Sequence, residues 1–260
     1  MAINTINLAS KMTGALDKAV VQKAVTGFFA DNALRAKFVG AATVLVPSME
    51  FSGLGGYDRD AGFTRGAITV TNESYTLSMD RARSFQLDAQ DCDEIGVTGL
   101  AGQVMGEFVS TQVVPELDAY CLSKLATLAS DKSQTVTGTP ASQAYEMFTQ
   151  AVSDAQSAVG YDEELVAFVD SGMWTAFQTT EELSRQITVS DFAKGGMNTR
   201  VKSINDVAIL PVSDSRMKSK YTFYDGVTSE QTAGGFAPAA GAKSMGLLLL
   251  PRRAASLVKK

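Results

Sequence analysis

Residues 107–126 read EFVSTQVVPELDAYCLSKLA, and the fold turns on how this stretch is understood. Just upstream, Leu100, Val104 and Phe108 are spaced by four, the interval of one stripe on a helix. Leu117, Cys121, Leu125 and Leu128 resume the stripe after a phase shift. The pattern predicts one long helix over residues 97–129, some 50 Å from end to end at about 1.5 Å per residue. Pro115 falls inside it. Proline has no N–H and crowds the carbonyl four residues back, here that of Thr111, so a kink or break is expected. Asp88, Asp91, Asp93 and Glu94 precede the helix, where carboxylates complement the macrodipole. They do not form a calcium loop, because the twelfth position from Asp91, where such a loop needs an acidic ligand, is Gly102.

On the amino-terminal side, AATVLVPSMEF (residues 41–51) reads as a strand, with Pro47 pointing to an edge or a bend. SGLGGYDRDAGFTRG (52–66) has five glycines in fifteen residues, the mark of turn-rich backbone. ITVTNESYTLSMD (68–80) alternates apolar and polar residues with the period of a strand. Together they predict an antiparallel ribbon projecting some 40 Å, at about 3.3 Å per residue. A two-stranded ribbon is marginal alone in water and needs a surface to lie on. Before it, Leu8, Met12, Leu16, Val20, Ala24 and Phe28 recur every four residues, so residues 1–38 form an amphipathic arm. That stripe fits either an ordinary packed helix or an arm lying on a neighbouring subunit.

On the carboxyl-terminal side, strands and helices alternate. Thr139-Pro140 is an N-cap followed by a first-turn proline, opening a helix that carries Phe148, Val152 and Ala155 and ends near Gly160. Leu165 to Val169, Val207 to Val212 and Met245 to Leu250 read as strands, and Ser171 as the cap of a helix bearing Trp174 and Phe177. Gly195-Gly196 and Gly234-Gly235 punctuate long loops. This half predicts a compact α/β subdomain.

The composition excludes much chemistry. The chain of 260 residues contains no histidine, which removes Ser-His-Asp and Cys-His nucleophile systems and histidine-ligated metals. The two cysteines, Cys92 and Cys121, lack metal-site spacing. Net charge is −5, without the basic footprint of a nucleic-acid reader. Neither an apolar signal core nor a run of about 20 apolar residues is present, so assembly in the cytoplasm is expected and no membrane partner is. Gly53-Leu54-Gly55-Gly56 lacks the GK[ST] of a phosphate loop, and Gly241-Ala242-Lys243-Ser244 fails the same spacing. Ser215-Arg216-Met217-Lys218 matches S-x-x-K, but the companion motifs S-D-N and K-T-G are absent. No catalytic, cofactor-binding or metal residue is nominated, and an enzyme with carboxylate or serine chemistry is the weakest reading.

Over residues 38–127, the G-L-G-x-Y-D-R-D loop, the D-R-x-R-S-F turn at Asp80 to Phe85 and V-P-E-L-D-A-Y within the helix resemble the major capsid proteins of tailed bacteriophages. The resemblance implies an α+β chain of the Johnson fold, the Hong Kong phage type of capsid fold, shared with encapsulins. It implies an N-terminal arm at 1–38 and an extended loop at 50–82. It implies a peripheral domain from 39–49, 83–135 and 245–260 with its spine helix at 97–129, and an axial α/β domain at 136–244. The implied function is self-assembly, as pentamers and hexamers, into an icosahedral shell of a virion enclosing double-stranded DNA that is contacted non-specifically. Portal, scaffold and decoration proteins are the further partners implied, and an encapsulin-like shell around protein cargo is the alternative. Asp58, Arg59, Asp60, Arg65, Asp80, Arg81 and Arg83 are the candidates for intersubunit ion pairs, with Phe28 and Leu16 as apolar contacts of the arm. Some shells of this fold carry an isopeptide bond from a loop lysine, whereas residues 52–80 here contain no lysine.

Overall fold

The computed structural model describes residues 19–20, 23–35, 37–39, 43–57, 59, 62–85, 100–138, 140–181, 187–194 and 197–258. Among these the chain is mixed α and β, with a long helix and three sheets. The first sheet has strand order β1 (Lys37–Val39), β2 (Thr43–Phe51), β3 (Ile68–Thr76), all antiparallel. The ladder of β2 and β3 runs unbroken from Thr43 opposite Thr76 to Phe51 opposite Ile68. β1 covers only Thr43 to Leu45, so the ribbon beyond is two-stranded. Pro47 sits where β2 has an open edge, a position that sheets tolerate.

The predicted long helix is present and continuous, and the kink or break expected at Pro115 takes the form of a π-helical turn rather than a break. Helix α1 (Leu100–Phe108) passes through a π-helical turn, Val109–Val113, into α2 (Val114–Asp131). Pro115 lies in the first turn of α2. The wider turn before it is closed by the bond from the Val114 N–H to the Val109 carbonyl, and this spacing relieves the clash that an unbroken α ladder would impose. Hydroxyls finish the local accounting: Ser110 donates to the Gly106 carbonyl at 3.0 Å and Thr111 to that of Glu107 at 2.8 Å. The deepest face of α2 is Val114, Asp118 and Leu122, not the expected line, and Leu128 is exposed. The acidic cluster at 88–94 and the helix start at 97–99 lie outside the described residues.

The body is built on a five-stranded sheet, order β10-β4-β7-β6-β5: β4 (Leu165–Val169), β5 (Ile187–Lys194), β6 (Met197–Ile204), β7 (Val207–Pro211) and β10 (Leu247–Pro251). β4 and β7 are parallel and the other neighbours antiparallel. β4 is apolar throughout because it is buried on both faces. Leu165, Ala167 and Val169 point to one core with Phe148 of helix α3 (Pro140–Val159) and Met173 and Phe177 of α4 (Ser171–Thr179). Val166 and Phe168 point to a second core with Phe28, Phe29, Leu122, Met217 and Leu257. A small two-stranded sheet, β8 (Tyr221–Phe223) with β9 (Phe236–Pro238), lies beside them.

Several expectations are corrected here. The last strand, assigned above to the peripheral domain, instead pairs with β4 along its whole length, because Leu247 to Leu250 are apolar on alternating sides and complete both cores. The cap of α4 is Asp170, whose carboxylate accepts the Met173 N–H at 2.7 Å, and Ser171 is the first helical residue. On either side of Gly195-Gly196, expected to punctuate a long loop, stand two paired antiparallel strands, β5 and β6, in register from Ile187 opposite Ile204 to Lys194 opposite Met197. Asn205 and Asp206, with φ of 50° and 63°, then turn β6 into β7, as a two-residue hairpin turn requires.

Candidate functional site: an exposed ribbon and the junction at its root

All nine residues of β3 are exposed, as are Met49, Glu50 and Phe51 of β2, whereas Val44 at the root of the ribbon is buried. Yet the exposed part is not polar: Met49, Phe51, Ile68, Val70 and Tyr75 stand in water along the strands, and Leu54, Tyr57 and Phe63 at the tip. The tip is internally ordered. The Ser52 N–H donates to the Ala67 carbonyl at 3.0 Å, the Thr64 hydroxyl to the Gly56 carbonyl at 3.1 Å, and the Tyr57 and Phe63 rings meet at 5.2 Å. Gly55 is required there, since a Cβ would lie 2.9 Å from Thr64 Cβ. Arg59 and Arg65 are exposed on this tip and Asp80 is exposed near the root, while Asp58, Asp60 and Leu16 lie outside the described residues.

Arg81 and Arg83, expected to face a neighbouring subunit, are occupied within their own chain. Arg81 forms an ion pair with Glu116 of α2 and donates from Nη2 to the carbonyls of Tyr224 at 2.8 Å and Gly235 at 3.3 Å. Its guanidinium carbon also lies 5.8 Å from the centre of the Phe223 ring. Arg83 Nη1 reaches the Thr232 carbonyl at 3.4 Å. The planar fork of arginine suits several carbonyls at once, and the loop 224–235 presents them. Ser78 and Tyr120 share a hydroxyl hydrogen bond of 2.8 Å beside this junction.

One turn of α2 gathers the other parts. Asp118, fully buried, accepts the Val25 N–H at 3.1 Å, the Thr26 N–H at 2.9 Å and the Thr26 hydroxyl at 2.7 Å, and pairs with Arg216 at 3.1 Å. It thereby caps a 3-10 helix, Val25–Arg35, from outside. Phe28 follows, 1% exposed, with its ring 5.2 Å from Phe192 and 6.0 Å from Phe168. Phe28 is therefore core of its own chain and presents no surface to a second copy, which corrects the expected contact. Aspartate at position 118 was the residue that sequence reading missed, and its only signal was a charge on the buried side of an apolar stripe.

The S-x-x-K pattern is not brought together. Lys218 Nζ donates to the Ser244 hydroxyl at 2.7 Å, while the Ser215 hydroxyl bonds that of Ser213 at 3.0 Å. Nearby, burial pushes the Asp170 carboxyl up, and the Ser171 hydroxyl and N–H hold Asp214 below the usual carboxylate range. The Thr228 hydroxyl, with the N–H groups of Val227 and Thr228, lowers Asp225 to about 2. Among the described residues no group of acidic or cysteine side chains is placed to hold a metal, and no helix is long and apolar enough to cross a membrane. No family model, curated protein or solved structure matches the chain.

Proposed function

We propose that this chain is a shell-forming structural subunit, the major capsid protein of a tailed bacteriophage. The observation that carries the reading is the ribbon: nine paired positions, exposed along all of β3 and at the far end of β2, with large apolar side chains along it. Burying one such side chain contributes about 1.5–3 kcal/mol, so an unoccupied strip of them is a standing drive toward a surface. Head-to-tail contacts of this kind build rings when the rotation closes. The resemblance over residues 38–127 supplies the rest: an icosahedral shell around DNA, with a portal and a scaffold as partners.

The test is to express the chain alone and examine it by sedimentation and negative-stain imaging. Pentamers, hexamers or closed particles are expected. A second arm replaces residues 54–64 with a short Gly-Ser turn. The body should keep its fold, because the tip adds nothing to either core, and closed particles should be lost. A monodisperse monomer from the full chain, or normal particles from the shortened one, overturns the reading. Particle contents separate the phage shell, holding double-stranded DNA, from an encapsulin-like shell holding protein.

A further inference from the structure

The junction at the ribbon root carries an inference that does not depend on shell formation. We propose that Arg81 and Arg83 couple the direction of the ribbon to the conformation of the loop 224–235, so that a change at either is felt at the other. The ribbon leaves the body through residues 77–85, which have no ladder partner in any sheet. Among the described residues, side chains tie this segment to the body: Arg81 to Glu116, Tyr224 and Gly235, Arg83 to Thr232, and Ser78 to Tyr120, together with the Phe85 ring against Phe108 at 4.9 Å. Three of the acceptors are main-chain carbonyls of one loop. Their positions depend on the backbone of that loop, which turns through Gly226, Gly234 and Gly235 at φ of 76°, 70° and 85°.

The fit is close. A Cβ at Gly226 or Gly234 would lie 3.2 or 3.3 Å from Arg83 Nη1, so the guanidinium packs directly on glycine backbone. The loop is otherwise self-bonded: Asp225 accepts from Val227 and Thr228 at 2.9 Å each, Gly234 N–H donates to the Gln231 carbonyl at 2.9 Å, and Tyr224 N–H to that of Gly235 at 2.9 Å. The loop thus has an ordered state of its own, and the arginines read that state. Val227 at its end is exposed, so a second molecule touching the loop would act on the ribbon through the same carbonyls. Coupling of this kind is reciprocal, because both segments share one set of bonds.

The experiment reads both directions in the full chain, with Cys92 and Cys121 replaced by serine. Spin labels at Thr69→Cys on the ribbon and Lys132→Cys on the body report their separation, with labelled chains diluted in unlabelled ones so that only intramolecular distances count. The parent should give one narrow distance distribution. R81A/R83A should broaden it, while circular dichroism and the urea midpoint of the body stay near the parent. R81K, which keeps the charge but loses the fork, should broaden it part-way. In the other direction, Gly234→Ala should shift or broaden the same distance, and Asp225→Ala serves if Gly234→Ala does not fold. Hydrogen exchange at Gln231 and Gly234 should quicken about tenfold in R83A, the scale of losing a charge-assisted hydrogen bond. An unchanged distance in R81A/R83A, or a loop variant that leaves it unchanged, overturns the proposal.

Discussion

A single buried carboxylate ties the amino-terminal segment to the long helix. Asp118 has four partners, and all of them lose it together in Asp118→Ala. Removing one side of a buried ion pair costs about 3–5 kcal/mol. The Arg216 side chain is 25% exposed and finds water instead, so the low end of that range is expected, read as a fall in the unfolding free energy in urea. Asp118→Asn should cost less, because its carbonyl still accepts. The carboxylates of the loop region make a pH prediction. Asp225, exposed and lowered to about 2, and Asp214, lowered by Ser171, both favour the folded arrangement above the unfolded carboxylate range and lose that as pH falls through their folded values. Asp170 has the opposite sign: its folded pKa is raised by burial, so protonation relieves it as pH falls. Carboxyl titration by NMR should place Asp225 near 2 and Asp170 above the other two. An Asp225 that titrates near its ordinary value would show the Val227–Thr228 turn absent in solution.

Among the elements, the π-helical turn before Pro115 decides how the long helix behaves. Pro115→Ala restores an N–H that can bond, a gain of about 0.5–1.5 kcal/mol, and frees the unfolded chain, a loss of about 0.4–1 kcal/mol. The two offset, so urea unfolding should change by less than about 1 kcal/mol, whereas the size or yield of assembled particles should change because the wider turn is no longer held in place. Unchanged particles from this variant would show that the turn plays no part in assembly. The sequence already carried this turn. Leu100, Val104 and Phe108 project the next stripe positions to 112 and 116, but the leucine stands at 117, a slip of the one residue that a π turn inserts. The ribbon, from its alternation of apolar and polar residues, and β4, from its uniformly apolar run, were legible because each signal lies within a few consecutive residues. Three features were not legible. The hairpin β5–β6 mixes polar and apolar residues too evenly, although its Gly195-Gly196 is a hairpin signal. The Asp170 cap competes with an equally plausible serine one position on. The junction of Arg81 and Arg83 joins segments about 150 positions apart, which no local pattern records.

For the whole molecule, if the proposed shell forms, the absence of lysine from residues 52–80 predicts that it is held without covalent links through the ribbon. Particles boiled in detergent should give one band near 27.5 kDa, and a ladder surviving boiling and reducing agent would contradict this. The two ends of the chain also depend on each other. Leu257 N–H donates to the Phe29 carbonyl at 2.9 Å, and β10 closes both cores against β4. Ending the chain at Gly246 should therefore leave a protein without a cooperative unfolding transition, whereas a shortened ribbon should keep one; calorimetry of the two distinguishes them. This arrangement has a consequence in time. During synthesis the ribbon is complete once residue 76 has emerged, but the body waits for residue 257. At about 5–20 residues per second, each nascent chain exposes both apolar-bearing strand sequences of the ribbon, with no finished body beside them, for roughly 10–40 s.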